Sequence, residues 1–366
     1  MYMLYFVNIK KRVFKSRFVS CVITSNYFYI DILNFKYNKI TKEGQNMLQT
    51  IKPISITEIE GFSIGQAELM ESGTGVTVIL TGKKGATCGV DIRGGGPASR
   101  ECGLLNPLAA NDAVHAVVLS GGSAFGLDSA SGVMKYLEEK NIGFPTSCGV
   151  VPIVCASCIY DLEFVTNKIR PDATLGYQAC LNAPNFQEGN YGAGCGATCG
   201  KAMGEKFMMK AGIGQAAIQL GDFKIGAVVV VNAMGDIFDP HTGKKIAGML
   251  NPQGNLETST LDVLCSMPSP NEKENTTIGA IFTNARFNKT ELTKIAGMAH
   301  DGFARATNPV HTMFDGDSIY ALSSGDIQVD INIAGSLAAE VMAQAIVNAV
   351  KHTTASHGVP CASDIH

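Results

Sequence analysis

Two short segments carry residue types that could act together in acyl transfer. The first is Asn275-Thr276-Thr277-Ile278-Gly279, which follows a polar, proline-bearing stretch from Pro268 to Glu274. A threonine hydroxyl is a weak nucleophile until a base stands beside it. A free α-amine, with a reference pKa of about 7.7–8, can be that base near neutral pH, whereas a lysine at about 10.4 stays protonated. Only the first residue of a chain has such an amine, so an internal threonine must first be cut free. Threonine paired with its own N-terminus is a recognised variant of the triad logic. β-Branching also narrows the rotamers available to Oγ, which helps hold it in an attacking position. Read alone, however, the two threonines are ordinary strand formers after a loop.

The second segment is Asp315-Gly316-Asp317. Residues two apart on an extended chain face the same side, so both carboxylates can be aimed at one point. Two like charges so placed raise one pKa, a typical way to make a base. Such a base could orient or deprotonate the Thr276 hydroxyl before any amine exists. Attack of Oγ on the Asn275 carbonyl then gives an ester that water opens. Read alone, Asp-Gly-Asp is also a turn with solvated carboxylates. Asn232 closes a deeply apolar run that starts at Ile225, where an amide without a partner is costly. Lys201 follows a glycine-rich turn and by itself reads as a solvated cation.

Other motifs fail on their chemistry. Gly121-Gly122-Ser123-Ala124-Phe125 opens like a nucleophile elbow but has Phe125 where the closing glycine belongs. Gly196 to Ala202 is one residue short of a phosphate loop and has Ala202 where a magnesium-binding hydroxyl belongs. Gly94-Gly95-Gly96 could present amides to an oxyanion or simply form a turn. Cys155 with Cys158, and Cys195 with Cys199, could in principle make a thiolate metal site. Cys155 and Cys158 lie three apart on an apparent strand and face opposite sides, so buried small hydrophobes fit better and no metal is expected. None of the seven histidines shows metal-ligand spacing, and none is nominated for a catalytic set.

The elements that must position these groups are readable from periodicity. Val76–Leu80, Ala116–Leu119, Ile225–Asn232 and the run from Thr276 to Phe282 read as buried strands. Tyr320–Leu322 and Ile327–Ile333 read as further strands. Gly126–Lys140, Lys289–Arg305 and Ser336–Lys351 read as helices, the first two with apolar residues on one face. Strands and helices mix without a repeated βα unit, which predicts a packed α+β architecture.

The bulk numbers narrow the class. Hydrophobic residues make up 46% of 366 and charged residues 17%, enough for a sizeable core. A net charge of −3 without basic runs predicts no nucleic-acid partner. Eleven cysteines without a secretory signal predict free thiols in a reducing, cytoplasmic setting. Residues 1–46 differ from the rest, being rich in Phe, Tyr, Asn, Ile and Lys with one glycine. Their apolar stretches are too broken to span a membrane. Met47 is the expected start of the native protein, with 47–366 as one domain.

From about Ile54 onward the chain resembles the DmpA-like family of N-terminal-nucleophile hydrolases, which includes D-esterase/L-aminopeptidases, β-peptidyl aminopeptidases and nylon-oligomer hydrolases. The resemblance rests on several segments in order. They are Gly94-Gly-Gly-Pro-Ala-Ser-Arg-Glu101, Leu119-Ser-Gly-Gly-Ser-Ala-Phe-Gly-Leu127, Gly192-Ala-Gly-Cys-Gly-Ala-Thr-Cys-Gly-Lys201, Val231-Asn-Ala-Met-Gly-Asp236, Asn275-Thr276 and Asp315-Gly-Asp317. It implies a four-layer αββα sandwich of the DmpA/ornithine acetyltransferase type, cut after Asn275 into an α chain to 275 and a β chain 276–366. It implies Thr276 as nucleophile, Asn232 in the oxyanion hole, and Lys201 and Tyr160 as active-site residues. It also implies a small peptide or amide substrate, no cofactor, and a homo-oligomer, often a tetramer of αβ units.

The paired aspartates resemble the nylon-oligomer branch. Cys158 stands where the aminopeptidase branch has an amine-binding glutamate, which favours a broader amide hydrolase. Two alternatives are an acyltransferase of the ornithine acetyltransferase type, whose Thr-Met-Leu context is absent here, and a catalytically silent binding protein.

Overall fold

The structure is a computed structural model in which residues 51–267 and 275–365 are described. The expectations for residues 1–46 and for the loop 268–274 lie outside the described residues. In chain order, the strands of the two main sheets are β1 Ile51–Pro53, β2 Ser63–Leu69, β3 Thr74–Leu80, β4 Thr87–Ile92, β5 Ala98–Arg100, β6 Ala116–Ser120, β7 Val154–Cys158, β8 Ile213–Leu220, β9 Phe223–Asn232, β10 Thr276–Ala285 and β11 Ser318–Ile327. The first sheet has the order β1-β8-β9-β10-β11-β4 and the second β2-β3-β6-β7-β5. All pairs are antiparallel except β10 with β11 and β6 with β7.

Helices α1 Ser129–Glu139 and α2 Ala173–Leu181 cover the second sheet, and α3 Lys289–Ala306 and α4 Ile331–Lys351 cover the first. The two sheets face each other, which makes the expected four-layer αββα sandwich. Three apolar layers fill it, one between the sheets and one under each helix pair. Strand β9 shows why its sequence is almost wholly apolar. Ile225, Ala227, Val229 and Val231 pack under α3 and α4, while Val228 and Val230 pack between the sheets. A strand covered on both faces reads as a continuous apolar run.

Helix α4 is apolar for the same reason. It alone among the described residues is long and apolar enough to cross a membrane, yet 67% of its apolar window is buried inside the molecule. Its alanines at 334, 338, 345 and 349 let it lie close to its neighbours in that layer.

The expected strand at Ile327–Ile333 is corrected. Strand β11 runs unbroken from Ser318 to Ile327, and α4 already begins at Ile331, five residues before the expected helix start. The alternation of Ile327, Val329, Ile331 and Ile333 mimics a strand. The Asp330 side chain accepts from the amides of Asn332 and Ile333 and so starts a helix instead. Helix α1 is likewise shorter than expected, because Ser123–Asp128 forms a 3-10 turn ahead of it.

Candidate active site

Strand register puts the site together. Thr276 is the first residue of β10, a central strand, and lies directly opposite Asn232, the last residue of β9. Opposed residues of this kind hold their Cβ atoms about 4.5–5.5 Å apart. Both share the parity of the residues that pack between the sheets: Val228 and Val230 on β9, Ile278 and Ala280 on β10. Their side chains therefore meet at one end of the inter-sheet layer. Thr276 is 5% exposed, so the site is closed.

On the other side of β10 runs the segment that leads into β11. Asn275 and Asp315 form a parallel bridge, with Asn275 N donating to Phe314 O at 2.8 Å and Gly316 N donating to Asn275 O at 3.0 Å. The Thr276 hydroxyl also donates to that Asn275 carbonyl oxygen. A Cβ at Gly316 would come 2.8 Å from Thr276 Oγ1, so the turn between the two aspartates lies against the hydroxyl and has room only for glycine.

The two carboxylates have different tasks. Asp315 Oδ2 accepts from the Thr312 amide and hydroxyl, both at 2.7 Å. Burial, and then repulsion from Asp317, push Asp315 up to about 6, against the Thr312 hydrogen bonds and the attraction of Lys201. Like-charge repulsion was the expected cause, but burial is the larger one. Asp317 Oδ1 accepts from the Thr277 amide at 2.7 Å, and Oδ2 from the ring and the amide of His311 at 2.8 and 3.2 Å.

Glycines 94–96 act as a brace and offer no oxyanion amides. Gly94 and Gly95 donate to Asp317 O and Thr312 O, and Gly96 donates to Asp315 O at 2.9 Å. A Cβ on Gly94 would fall 2.2 Å from Asp315 O.

Asn232 is wholly buried. Its Oδ1 accepts from Lys201 Nζ at 2.7 Å and from Thr198 N at 3.1 Å, and its Nδ2 donates to Tyr160 O at 2.7 Å. One of the two N–H bonds expected for an oxyanion is thus committed to a main-chain oxygen in the intact chain, which leaves the second. Lys201 is 6% exposed, not a solvated cation. Burial pulls its ammonium down to about 8, against the pull of Glu163, Asp315 and Asp161. Tyr160 reaches this cluster through its main chain, at the end of the run that follows β7.

Several residues near the site had no role in the sequence reading. Thr312 sits three residues before Asp315, a spacing at which a side chain can close a local turn and the one signal available in advance. Asp161 accepts from Thr74 Oγ1 at 2.7 Å and Gly122 N at 2.6 Å, and burial raises its pKa. Lys210 is fully buried, with Nζ on the main-chain oxygens of Gly194, Ala197 and Ala211. It fixes the glycine-rich loop that carries Lys201, and burial lowers it to about 7. Nothing in the spacing of His311 marks it.

Cys155, Cys158, Cys195 and Cys199 are all buried, with thiols pushed up by burial. No three His, Cys, Asp or Glu residues among the described ones are grouped to hold a metal ion. A cavity of about 940 Å³ opens at the far ends of β10 and β11, beside Arg286 and Asp326, away from Thr276.

The geometry brings a hydroxyl, a main-chain carbonyl, a raised carboxylate and a depressed ammonium into one buried cluster, the parts required for acyl transfer. Comparison with known proteins gives the family and the fold. The model of peptidase family S58 matches residues 55–361. An uncharacterized aminopeptidase of Mycobacterium leprae is 35% identical over 342 residues, covering 84% of this chain and 92% of the relative. A 6-aminohexanoate-oligomer endohydrolase of Agromyces sp. is 33% identical over 337 residues, covering 87% and 90%. The structure of the L-aminopeptidase D-Ala-esterase/amidase of Ochrobactrum anthropi, a variant of the Ntn hydrolase fold, superposes with a TM-score of 0.62 at 16% identity, covering 84% of this chain and 88% of that one. The chain therefore belongs to peptidase family S58, and it is an amide hydrolase on the N-terminal-nucleophile fold.

Proposed function

We propose that the chain cuts itself between Asn275 and Thr276, and that the freed Thr276 then hydrolyses small peptides or related amides. One observation carries this reading. The Thr276 hydroxyl lies on the Asn275 carbonyl group while Gly316 N–H donates to the same oxygen. In the first step Oγ adds to the Asn275 carbonyl carbon and its proton passes to Asp315. The C–N bond breaks as the Thr276 nitrogen takes a proton, leaving an ester between Asn275 and Oγ. Water then opens the ester to the Asn275 carboxylate, a free hydroxyl and a free α-amine. In each later turnover that amine is the base, the substrate amide acylates Oγ, and water releases the acid. Asn232 donates to the oxyanion, and Lys201 orients Asn232 and adds positive charge beside it.

The substrate is an amide without a required free amine. Cys158 is buried in β7 and its thiol is raised far above the neutral range, so it offers no charge to a substrate ammonium. The relatives include both an uncharacterized aminopeptidase and an oligomer endohydrolase, and the second fits this feature better. The protein acts without a cofactor as a cytoplasmic homo-oligomer, a tetramer of αβ units by family resemblance.

Mass spectrometry of purified wild type beside Thr276→Ala tests the reading. Two fragments in wild type, the smaller beginning at Thr276, and an intact Ala variant are expected. Intact chains in both, with no electrophile labelling of Thr276, identify a silent binding protein instead.

A further inference from the structure

We propose that His311 is a positioning residue for self-cleavage, holding Asp317 so that Asp317 can fix the chain at the nucleophile. The proposal rests on the reading of Thr276 as the cleavage nucleophile and adds a component to that site. His311 lies in the loop between α3 and β11, with a left-handed φ of +58°. Residues with a Cβ avoid that conformation unless the surroundings impose it. The conformation lets one residue deliver two donors to one oxygen, since both its amide and its Nδ1 bond Asp317 Oδ2. Asp317 Oδ1 is thereby turned toward the Thr277 amide. Thr277 adjoins Thr276, so the position of Oγ against the Asn275 carbonyl depends on this link.

The ring's surroundings agree with this task. It stacks on Phe303 with centroids 5.8 Å apart and meets the edge of His300 at 4.6 Å, both from α3. Both Asp317 oxygens accept, so Nδ1 carries the ring proton. Nε2 is buried and finds no partner among the described residues. Among the described residues, the 2.8 Å contact with that carboxylate is the ring's one hydrogen bond. The contact with Asp317 is what the placement serves.

Two substitutions separate the donor from the backbone. His311→Gly accepts the left-handed backbone and removes the donor. His311→Asn also tolerates it and puts Nδ2 close to where Nδ1 sits. Each full-length chain is made by cell-free translation, so that the uncut form is the starting material, and fragment appearance is followed by electrophoresis. Displacing a reacting group by about 1 Å costs on the order of 100-fold in rate. The Gly variant is expected to cut at least roughly tenfold more slowly and the Asn variant within roughly threefold of wild type. A Gly variant as fast as wild type overturns the proposal, as does an Asn variant as slow as Gly when both melt cooperatively. If the Gly variant does not fold, the Asn variant decides alone: within threefold supports the donor, slower overturns it. A wild type that never cuts defeats the underlying reading of Thr276, a separate result.

Discussion

The main-chain amide of Gly316 donates to the carbonyl oxygen of Asn275 at 3.0 Å, in the bridge that continues β11 alongside β10. On the proposed cleavage after Asn275, the carbonyl this donor holds would leave with Asn275. Asn232, across the strand on the other side of Thr276, is bonded to Tyr160 O and Lys201 at this stage. Scission and turnover are therefore expected to rely on different donors.

Asn232→Ala separates the two reactions. Loss of an oxyanion donor lowers turnover by about 10²–10³-fold, whereas scission, supported by Gly316, is expected to slow by less than roughly tenfold on the same scale. Fragment appearance and amide hydrolysis measured on one preparation give both numbers. Equal losses would show that one donor serves both reactions.

Asp315 gives a pH signature. Its pKa is raised from 3.8 to about 6, so the folded state disfavours its charged form. Its contribution to stability is complete below the unfolded value and is lost as pH rises through about 6. The loss is up to roughly 3 kcal/mol. In a Thr276→Ala background, which keeps the chain whole, Asp315→Asn should melt at the same temperature as its parent near pH 4 and above it at pH 7–8 on this linkage. In the cleavable chain, scission should accelerate through about pH 6, and Asp315→Asn should be slow and flat across that range. A wild-type rate in the Asn variant removes Asp315 as base.

Lys201→Met should trade activity for stability. Burial holds the ammonium at about 8 rather than 10.5, so its contribution to stability is lost as pH falls through 8. Methionine keeps the bulk without the charge, and Asn232 Oδ1 keeps Thr198 N as donor. At pH 7 the variant should melt no lower than wild type, while turnover drops by roughly 100-fold or more. A destabilised variant with unchanged turnover would return Lys201 to a structural role.

The parts of the site that follow from strand register were legible in advance. Thr276 opens a strand, Asn232 closes an apolar one, and Asp315 and Asp317 stand two apart, so type and spacing carried their positions. The sandwich was legible from family resemblance more than from periodicity. Where local alternation was the guide, at Ile327–Ile333, it misled, because the N-cap at Asp330 outweighed it. His311 and Gly316 were not legible, and Thr312 was so only through its spacing of three from Asp315. Their roles depend on a left-handed residue, a local turn and a main-chain amide, none of which leaves a periodic trace.

The strand order also has a consequence for the proposed cleavage. Strands β10 and β11 lie in the middle of the first sheet, with β9 on one side and β4 on the other. A cut after Asn275 assigns the inner two strands to one polypeptide and the outer ones to the other. The two products cannot drift apart while the sheet persists. Melting of the cut form would separate two polypeptides, so its midpoint is expected to depend more steeply on protein concentration than that of the uncut Thr276→Ala chain.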